Sequence, residues 1–189
     1  LEPRGLAALS GTFKVASAKV VVAADRDDRL LWEVCRDAAP QLAVALQRFT
    51  QLQSVRSSLA PFTSPQPDVR AMLDRWPEAS SVWVDMEGAL RGAMGLVVPT
   101  DALTMLVSHV GAAMARKWPD RDSFAQEVLG ETGNLLASVL ASSVAHTFGS
   151  LCMPGLPRTT LRSISQVVDE SNYVDKMPAQ VTTMVLEHA

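Results

Sequence analysis

The sequence predicts an α+β protein in which a mainly antiparallel sheet carries two long pseudo-repeat helices on one face. Strand-like and helical segments are mixed along the 189 residues without a regular strand–helix–strand alternation, which disfavours a parallel sheet. Two long segments, 28–50 and 120–148, have apolar residues at helical spacing. Two strand-like runs around Glu87 and Gly88 have the pattern of a β-hairpin.

Composition and charge exclude several classes of function. The net charge of -3 provides no basic surface, so nucleic acid is not an expected partner. No uninterrupted apolar run approaches roughly 18 residues, and no segment resembles a signal peptide, so membrane insertion is not expected. Cys35 and Cys152 lack the spacing of a metal site, so we expect free thiols in a reducing compartment, with the cytoplasm as the default location.

The chain begins with a strand and a long helix. Residues 12–24 are rich in β-branched side chains and predict a strand. A helix is predicted from Asp28 to Thr50, and Pro40 is expected to kink it. The polar, proline-containing residues 51–66 predict a loop or an irregular strand, and 67–76 predict a short helix.

A hairpin, two helices and two further strands complete the prediction. Residues 81–86 and 90–98 are the expected hairpin strands. They are followed by a helix from 102 to about 117 and by the long helix 120–148. The later predictions are a loop at 149–157, because of its glycine and prolines, and strands at 159–168 and 181–186.

The long helix 120–148 is the most informative stretch. Asp122 or Ser123 can cap its start. One broad side is apolar, and its residues recur at helical spacing: Phe124, Val128, Leu135, Leu136, Val139, Leu140 and Val144. This pattern predicts that the helix lies on the core.

The other side of this helix carries an unusual polar stripe. It consists of four side chains separated by four, three and four residues, which stack along one line: Glu127, Glu131, Asn134 and Ser138. Gly130 and Gly133 flank Glu131, and glycine in a helix interior is unfavourable by roughly 1 kcal/mol relative to alanine. Glycines there suit the close approach of another backbone, but an ordinary acidic helix face with two poor helix formers explains the pattern equally well.

The two long helices resemble each other in sequence. Aligning Glu33 with Glu131 gives four identities over the two helices, while Arg36 stands opposite Asn134. The chain is therefore expected to be one domain, 1–189, made of two pseudo-repeated halves at about 12–99 and 100–189.

The motif Glu127-x3-Glu131-x2-Asn134, followed by twenty-two residues and Pro157, resembles the signature of the CheC/CheX/FliY family. Members of that family dephosphorylate CheY-type response regulators of bacterial chemotaxis. The hairpin and the helix after it support the resemblance. Glu127 departs mildly from the family's usual aspartate or serine. Arg36 replaces the asparagine of the first motif, so the resemblance implies one working site of the CheX-like type.

The resemblance implies a role for each residue of the stripe. Asn134 would orient the attacking water, and Glu131 would pair with the active-site lysine of the receiver domain. The partner-binding set would be Glu127, Gly130, Gly133 and Ser138, although Glu127 is equally well explained as a helix-start carboxylate. Glu33 and Arg36 would form a degenerate second site. Pro157 would shape the turn after the motif helix.

The resemblance also implies a phosphorylated CheY-type regulator as the partner, Mg²⁺ on that partner, and no cofactor or metal on this chain. Because CheX-like members tend to dimerise, it leaves both a monomer and a homodimer open. A second hypothesis is a catalytically silent module of the same fold. Such a module would recognise a receiver domain or help to assemble a signalling or motility complex.

Overall fold

The computed structural model describes residues 14–61, 71, 75–76, 78–110, 120–162 and 177–188. The expected short helix at 67–76 falls largely outside these residues, as do the end of the helix expected to reach 117 and most of the strand expected at 159–168.

The described residues form six strands and three helices. The strands are β1 (Lys14–Ala24), β2 (Ser54–Leu59), β3 (Ser80–Gly88), β4 (Gly92–Val98), β5 (Cys152–Thr160) and β6 (Ala179–His188). The helices are α1 (Asp28–Thr50), α2 (Thr100–His109) and α3 (Arg121–Phe148). One sheet holds all six strands in the order β2-β6-β1-β4-β3-β5, and every neighbouring pair is antiparallel. The predicted α+β class with an antiparallel sheet is confirmed.

Strand β1 lies in the interior of the sheet, where it pairs with both β4 and β6. Its alternate side chains, such as Val20 and Val22, point into the main core, while Val21 and Ala23 join a smaller cluster on the opposite face. The residues from Val20 to Ala24 are all buried, so both faces of the sheet are covered here.

The two long helices pack on the same face of the sheet. Leu42 and Leu46 of α1 and Leu136 and Leu140 of α3 belong to one core cluster with Val82 and the other strand residues of that face. By length and composition α3 could cross a membrane, but 56% of its most apolar window is buried inside the fold. Its apolar side is therefore used by the core, as the helical spacing predicted.

Of two expectations about the connections, the strand alternative for residues 51–66 is confirmed in part, and the loop at 149–157 was wrong. Residues 54–59 form a regular edge strand, β2, because β6 supplies a pairing partner for a segment that is polar in sequence. Strand β5 starts at Cys152, inside the expected loop 149–157. Its two prolines are tolerated because β5 lies at the other edge of the sheet, where missing backbone donors do not interrupt a ladder on both sides.

The proline of the sequence motif lies in a strand rather than in a turn. Pro157 pairs with Val84, whereas Pro154 pairs with Met86, so β5 has one extra residue between these two pairs. This irregularity is a β-bulge, and it places Pro157 next to β3. The expectation that Pro157 shapes a turn was wrong.

The hairpin is confirmed, but its turn lies later than expected. Strand β3 continues through Glu87 to Gly88, and the turn occupies residues 89–91. Gly88 has a positive φ of 95°, and a side chain there would approach the carbonyl oxygen of Leu151 within 2.5 Å. Glycine is therefore required at this position by the close approach of the chain before β5.

Both cysteines are free and buried, which predicts low thiol reactivity. Burial raises the pKa of Cys35 to about 12 and also raises the pKa of Cys152. Because the thiolate is the reactive form, we expect iodoacetamide at about pH 8 to modify neither cysteine in the folded protein and both in urea. Mass spectrometry of the labelled protein measures this, and rapid labelling of Cys35 without denaturant would contradict it.

Candidate functional site

The helix that carries the predicted site, α3, begins at an aspartate cap. The Asp120 carboxylate accepts a hydrogen bond from the Ser123 backbone N–H at 2.8 Å and another from the Ser123 hydroxyl at 3.0 Å. The expectation that Asp122 or Ser123 caps the helix was wrong, since both lie in its first turn. Asp122 instead pairs with Arg162 at 2.7 Å, just after β5.

The cap makes the stability of α3 dependent on pH. The backbone and hydroxyl hydrogen bonds from Ser123 lower the pKa of Asp120. A lowered folded-state pKa means that the stabilisation is complete above the unfolded value of about 3.9 and is lost as pH falls through the folded value. We expect Asp120→Ala to lower the melting temperature at neutral pH, with a difference from wild type that shrinks below about pH 4. Thermal melts followed by circular dichroism between neutral and acidic pH measure this, and a difference that is constant with pH would contradict it.

Gly133 of α3 faces the fold, whereas Gly130 lies near strand β5 and is only half-buried. Gly133 is buried, and a Cβ built on it would lie 2.6 Å from Cγ2 of Val82 on β3. A Cβ on the half-buried Gly130 would meet only Cγ2 of Thr159 on β5, at 3.8 Å. The predicted close approach is real, but for Gly133 the approaching element is the protein's own sheet. The expectation that Gly133 binds a partner was therefore wrong.

The polar stripe lies on the solvent-facing side of α3. Glu131, Asn134 and Ser138 are exposed, and Glu127 is half-buried. The Ser138 hydroxyl donates to the Asn134 backbone carbonyl at 2.8 Å, and the Ser142 hydroxyl donates to that of Ser138 at 2.9 Å. The serines thus bond to the helix backbone and leave the neighbouring functional groups unobstructed.

The side chains of Glu131 and Asn134 are free to meet another molecule. Within the described residues, the Glu131 carboxylate forms no ion pair, and the Asn134 carboxamide forms no hydrogen bond. The two residues are one helical turn apart, a rise of about 4.5 Å along the axis. A carboxylate and a carboxamide therefore lie next to each other at the surface, without a hydrogen bond or ion pair from either group to the rest of the described chain.

The electrostatic character of the stripe is acidic. No lysine or arginine occurs from Glu127 to Ala145, so no basic residue of this stretch offsets Glu131. Among the residues that the structure describes, no group of three or more histidine, cysteine or acidic side chains is placed to hold a metal ion. The stripe as it stands is suited to meeting a positively charged group of another molecule.

The corresponding positions on α1 are occupied by side chains that bond to one another. Glu33 pairs with Arg29 at 3.6 Å. Arg36 pairs with Asp37 at 2.8 Å and lies over the ring of Trp32, 5.3 Å from its centroid. The hydrogen bond with Asp37 raises the pKa of Arg36. At the position where α3 has the carboxamide of Asn134, α1 therefore has the guanidinium of Arg36, which is already paired with Asp37.

A groove between the two helices was not predicted. It has a volume of about 440 Å³ and is lined by Pro40, Gln41, Val44, Ala45, Arg48 and Val139. Val44 is 47% exposed, and of the large apolar side chains left exposed in the described residues it is the one that lies on a helix. In the sequence, Val44 falls outside the helical spacing of the apolar residues that α1 buries, such as Leu42 and Leu46. That departure could have indicated an exposed apolar side chain.

No family profile matches the sequence, and no curated protein is similar to it in sequence. Solved structures, however, share its fold. The chemotaxis protein CheX from Desulfovibrio desulfuricans is 12% identical with a TM-score of 0.56, over 82% of this chain and 99% of that one. FliY from Thermotoga maritima is 15% identical with a TM-score of 0.59, over 86% of this chain and 89% of that one.

A third structure is a complex. The CheX-CheY-BeF3-Mg+2 complex from Borrelia burgdorferi matches with 12% identity and a TM-score of 0.50, over 84% of this chain and 98% of the matched one. At these identities the similarity establishes the fold, which is CheC/CheX/FliY-like as the motif predicted. A shared fold does not by itself establish a shared activity.

Proposed function

We propose that this protein, which has a CheX/FliY-like fold, is a phosphatase that hydrolyses the aspartyl phosphate of a CheY-type response regulator. The observation that carries the proposal is the pair of free polar groups on α3, Glu131 and Asn134, exposed beside each other. The CheX of the Borrelia burgdorferi complex, with a similar fold, is bound to CheY. A partner of the same class is therefore proposed for this chain.

The carboxamide of Asn134 suits the positioning of a water molecule. Its oxygen accepts a hydrogen bond from water and its NH₂ group donates one, so it can hold water in a defined orientation without removing a proton. Hydrolysis of a phosphoryl group needs a water molecule in line with the bond that breaks. Asn134 is proposed to supply that alignment, and its exposure on α3 lets it enter the partner's phosphorylation site.

Glu131 is proposed to hold the receiver in register. Its carboxylate forms no ion pair in the described residues, so it is available to the active-site lysine of the receiver. Such a charge-assisted hydrogen bond is stronger than one between neutral groups. The divalent metal ion that assists phosphoryl transfer is proposed to be Mg²⁺ bound to the receiver. Assembly of this chain into a homodimer remains a prediction.

The proposal is tested by following the phosphate on a receiver. A CheY-type receiver is phosphorylated with a small-molecule phosphodonor, and its dephosphorylation is measured in Mg²⁺ with and without this protein. We expect catalytic amounts of the protein to accelerate the loss of phosphate. If a panel of receivers loses phosphate at the same rates with and without the protein, the enzymatic proposal is wrong.

A second function is favoured by one specific observation. On α1 the fold is kept although Arg36 occupies the asparagine position and is bonded to Asp37. The scaffold therefore tolerates loss of the chemistry, and a silent module that binds a receiver or assembles a signalling or motility complex remains the alternative. Such a module would bind a phosphorylated receiver in a pull-down without changing its rate of dephosphorylation.

A further inference from the structure

The groove between α1 and α3 has the features of a second contact surface for the receiver. We propose that Val44 and Arg48, at this groove, bind an apolar side chain and a carboxylate of the receiver and so determine which receiver is accepted. This inference rests on the proposed function, because it assumes that a receiver is seated over Asn134.

The lining of the groove is apolar apart from Gln41 and Arg48. Five of its six lining residues lie along one side of α1, and Val139 closes it from α3. The Gln41 amide donates to the Asp37 backbone carbonyl at 3.2 Å, so its polar group is partly satisfied by its own helix. Valine is a poor helix former, and because the Val44 side chain is exposed, it contributes little to the stability of the fold.

The groove adjoins the helix that carries the polar stripe, because Val139 of α3 lines it. Val139 follows Ser138 directly in the chain, and the Ser138 hydroxyl is bonded to the Asn134 backbone carbonyl at 2.8 Å. Packed helices have axes roughly 8–10 Å apart, so the near side of α1 lies close to any domain placed on the stripe. A specific interface buries about 800 Å² on each partner, which is more than one stripe of small side chains supplies. A receiver docked over Asn134 is therefore expected to cover the groove as well.

Charge indicates the chemistry of the contact. Arg48 is exposed and forms no ion pair within the described residues, and no acidic residue lines the groove. The stripe of α3 is acidic, so the two neighbouring surfaces favour opposite charges on the partner. Val44 and Arg48 are four residues apart on α1, with Cβ atoms about 5–6 Å apart. An element that presents an apolar side chain next to an aspartate or glutamate fits this pair.

The test separates binding from chemistry. The substrate is the phosphorylated CheY-type receiver that wild type dephosphorylates fastest in a panel, and binding is measured with the same receiver activated by beryllofluoride. The variants are Arg48→Glu and Val44→Gln. We expect Arg48→Glu to raise KM and Kd by about tenfold, with a smaller effect at high salt, and Val44→Gln to raise them less. Neither should change kcat by more than about twofold, since neither residue touches the reacting groups.

Arg91→Glu is the matched control, because it reverses an exposed charge in the turn between β3 and β4 rather than on either long helix. Thermal melts of all variants establish that they fold. If wild type is active and both groove variants have KM and Kd values equal to those of Arg91→Glu, the inference is overturned and the phosphatase proposal stands. If wild type neither binds nor dephosphorylates any receiver, both are overturned.

Discussion

Replacing Asn134 by alanine is expected to abolish most of the phosphatase activity while leaving binding of the receiver intact. The carboxamide is exposed and forms no hydrogen bond within the described residues, so its removal leaves no buried group unsatisfied. Alanine is also the better helix former, so α3 should not be weakened. Loss of a group that positions a reactant costs about 100-fold in rate, and the observed rate should approach that of the receiver alone.

The measurement is the rate of loss of phosphate from a phosphorylated receiver at saturating concentration, together with Kd for the beryllofluoride-activated receiver. Ser142→Ala is the matched control, because Ser142 is exposed on α3 about two turns after Asn134, and its hydroxyl donates to the Ser138 backbone carbonyl. We expect Ser142→Ala to retain wild-type kcat. Equal turnover by wild type and Asn134→Ala would remove the carboxamide from the mechanism.

Replacing Gly133 by alanine is expected to destabilise the protein, whereas the same change at Gly130 is expected to stabilise it. A Cβ at Gly133 would lie 2.6 and 2.8 Å from the two methyl carbons of Val82, a fully buried and branched side chain that cannot rotate away. Overpacking of this kind costs about 1–3 kcal/mol and outweighs the roughly 1 kcal/mol gained from the higher helix propensity of alanine. At Gly130 the new Cβ would meet only an ordinary contact at 3.8 Å, so the propensity gain should dominate.

Urea unfolding of the two variants measures the opposite signs directly. The double variant Gly133→Ala/Val82→Ala should recover part of the stability that is lost in Gly133→Ala, after allowance for the cost of Val82→Ala alone. Equal stability of Gly133→Ala and Gly130→Ala would mean that α3 does not depend on the close approach to β3.

Local sequence determined the parts of the fold whose signals are periodic. Helix α1 has the bounds that the sequence predicts. Helix α3 begins one residue later than predicted, because the predicted first residue, Asp120, is the N-cap. The exposed stripe of Glu131, Asn134 and Ser138 also followed from spacing, since side chains three and four residues apart share a helix face whatever the helix packs against.

Tertiary structure decided what periodicity leaves open. Strands β2 and β5 form because β6 and β3 provide backbone hydrogen-bonding partners. These partners are distant in the chain, so the local composition of a polar or proline-containing segment does not predict the pairing. Gly133 could be recognised as a site of close approach from sequence, but that its neighbour is Val82 of the same chain follows only from the packing of α3 on the sheet. The groove at Val44 and Arg48 likewise requires two helices side by side. A sequence therefore specifies which faces its elements have, and the packing specifies what each face meets, because packing depends on contacts between residues far apart in the chain.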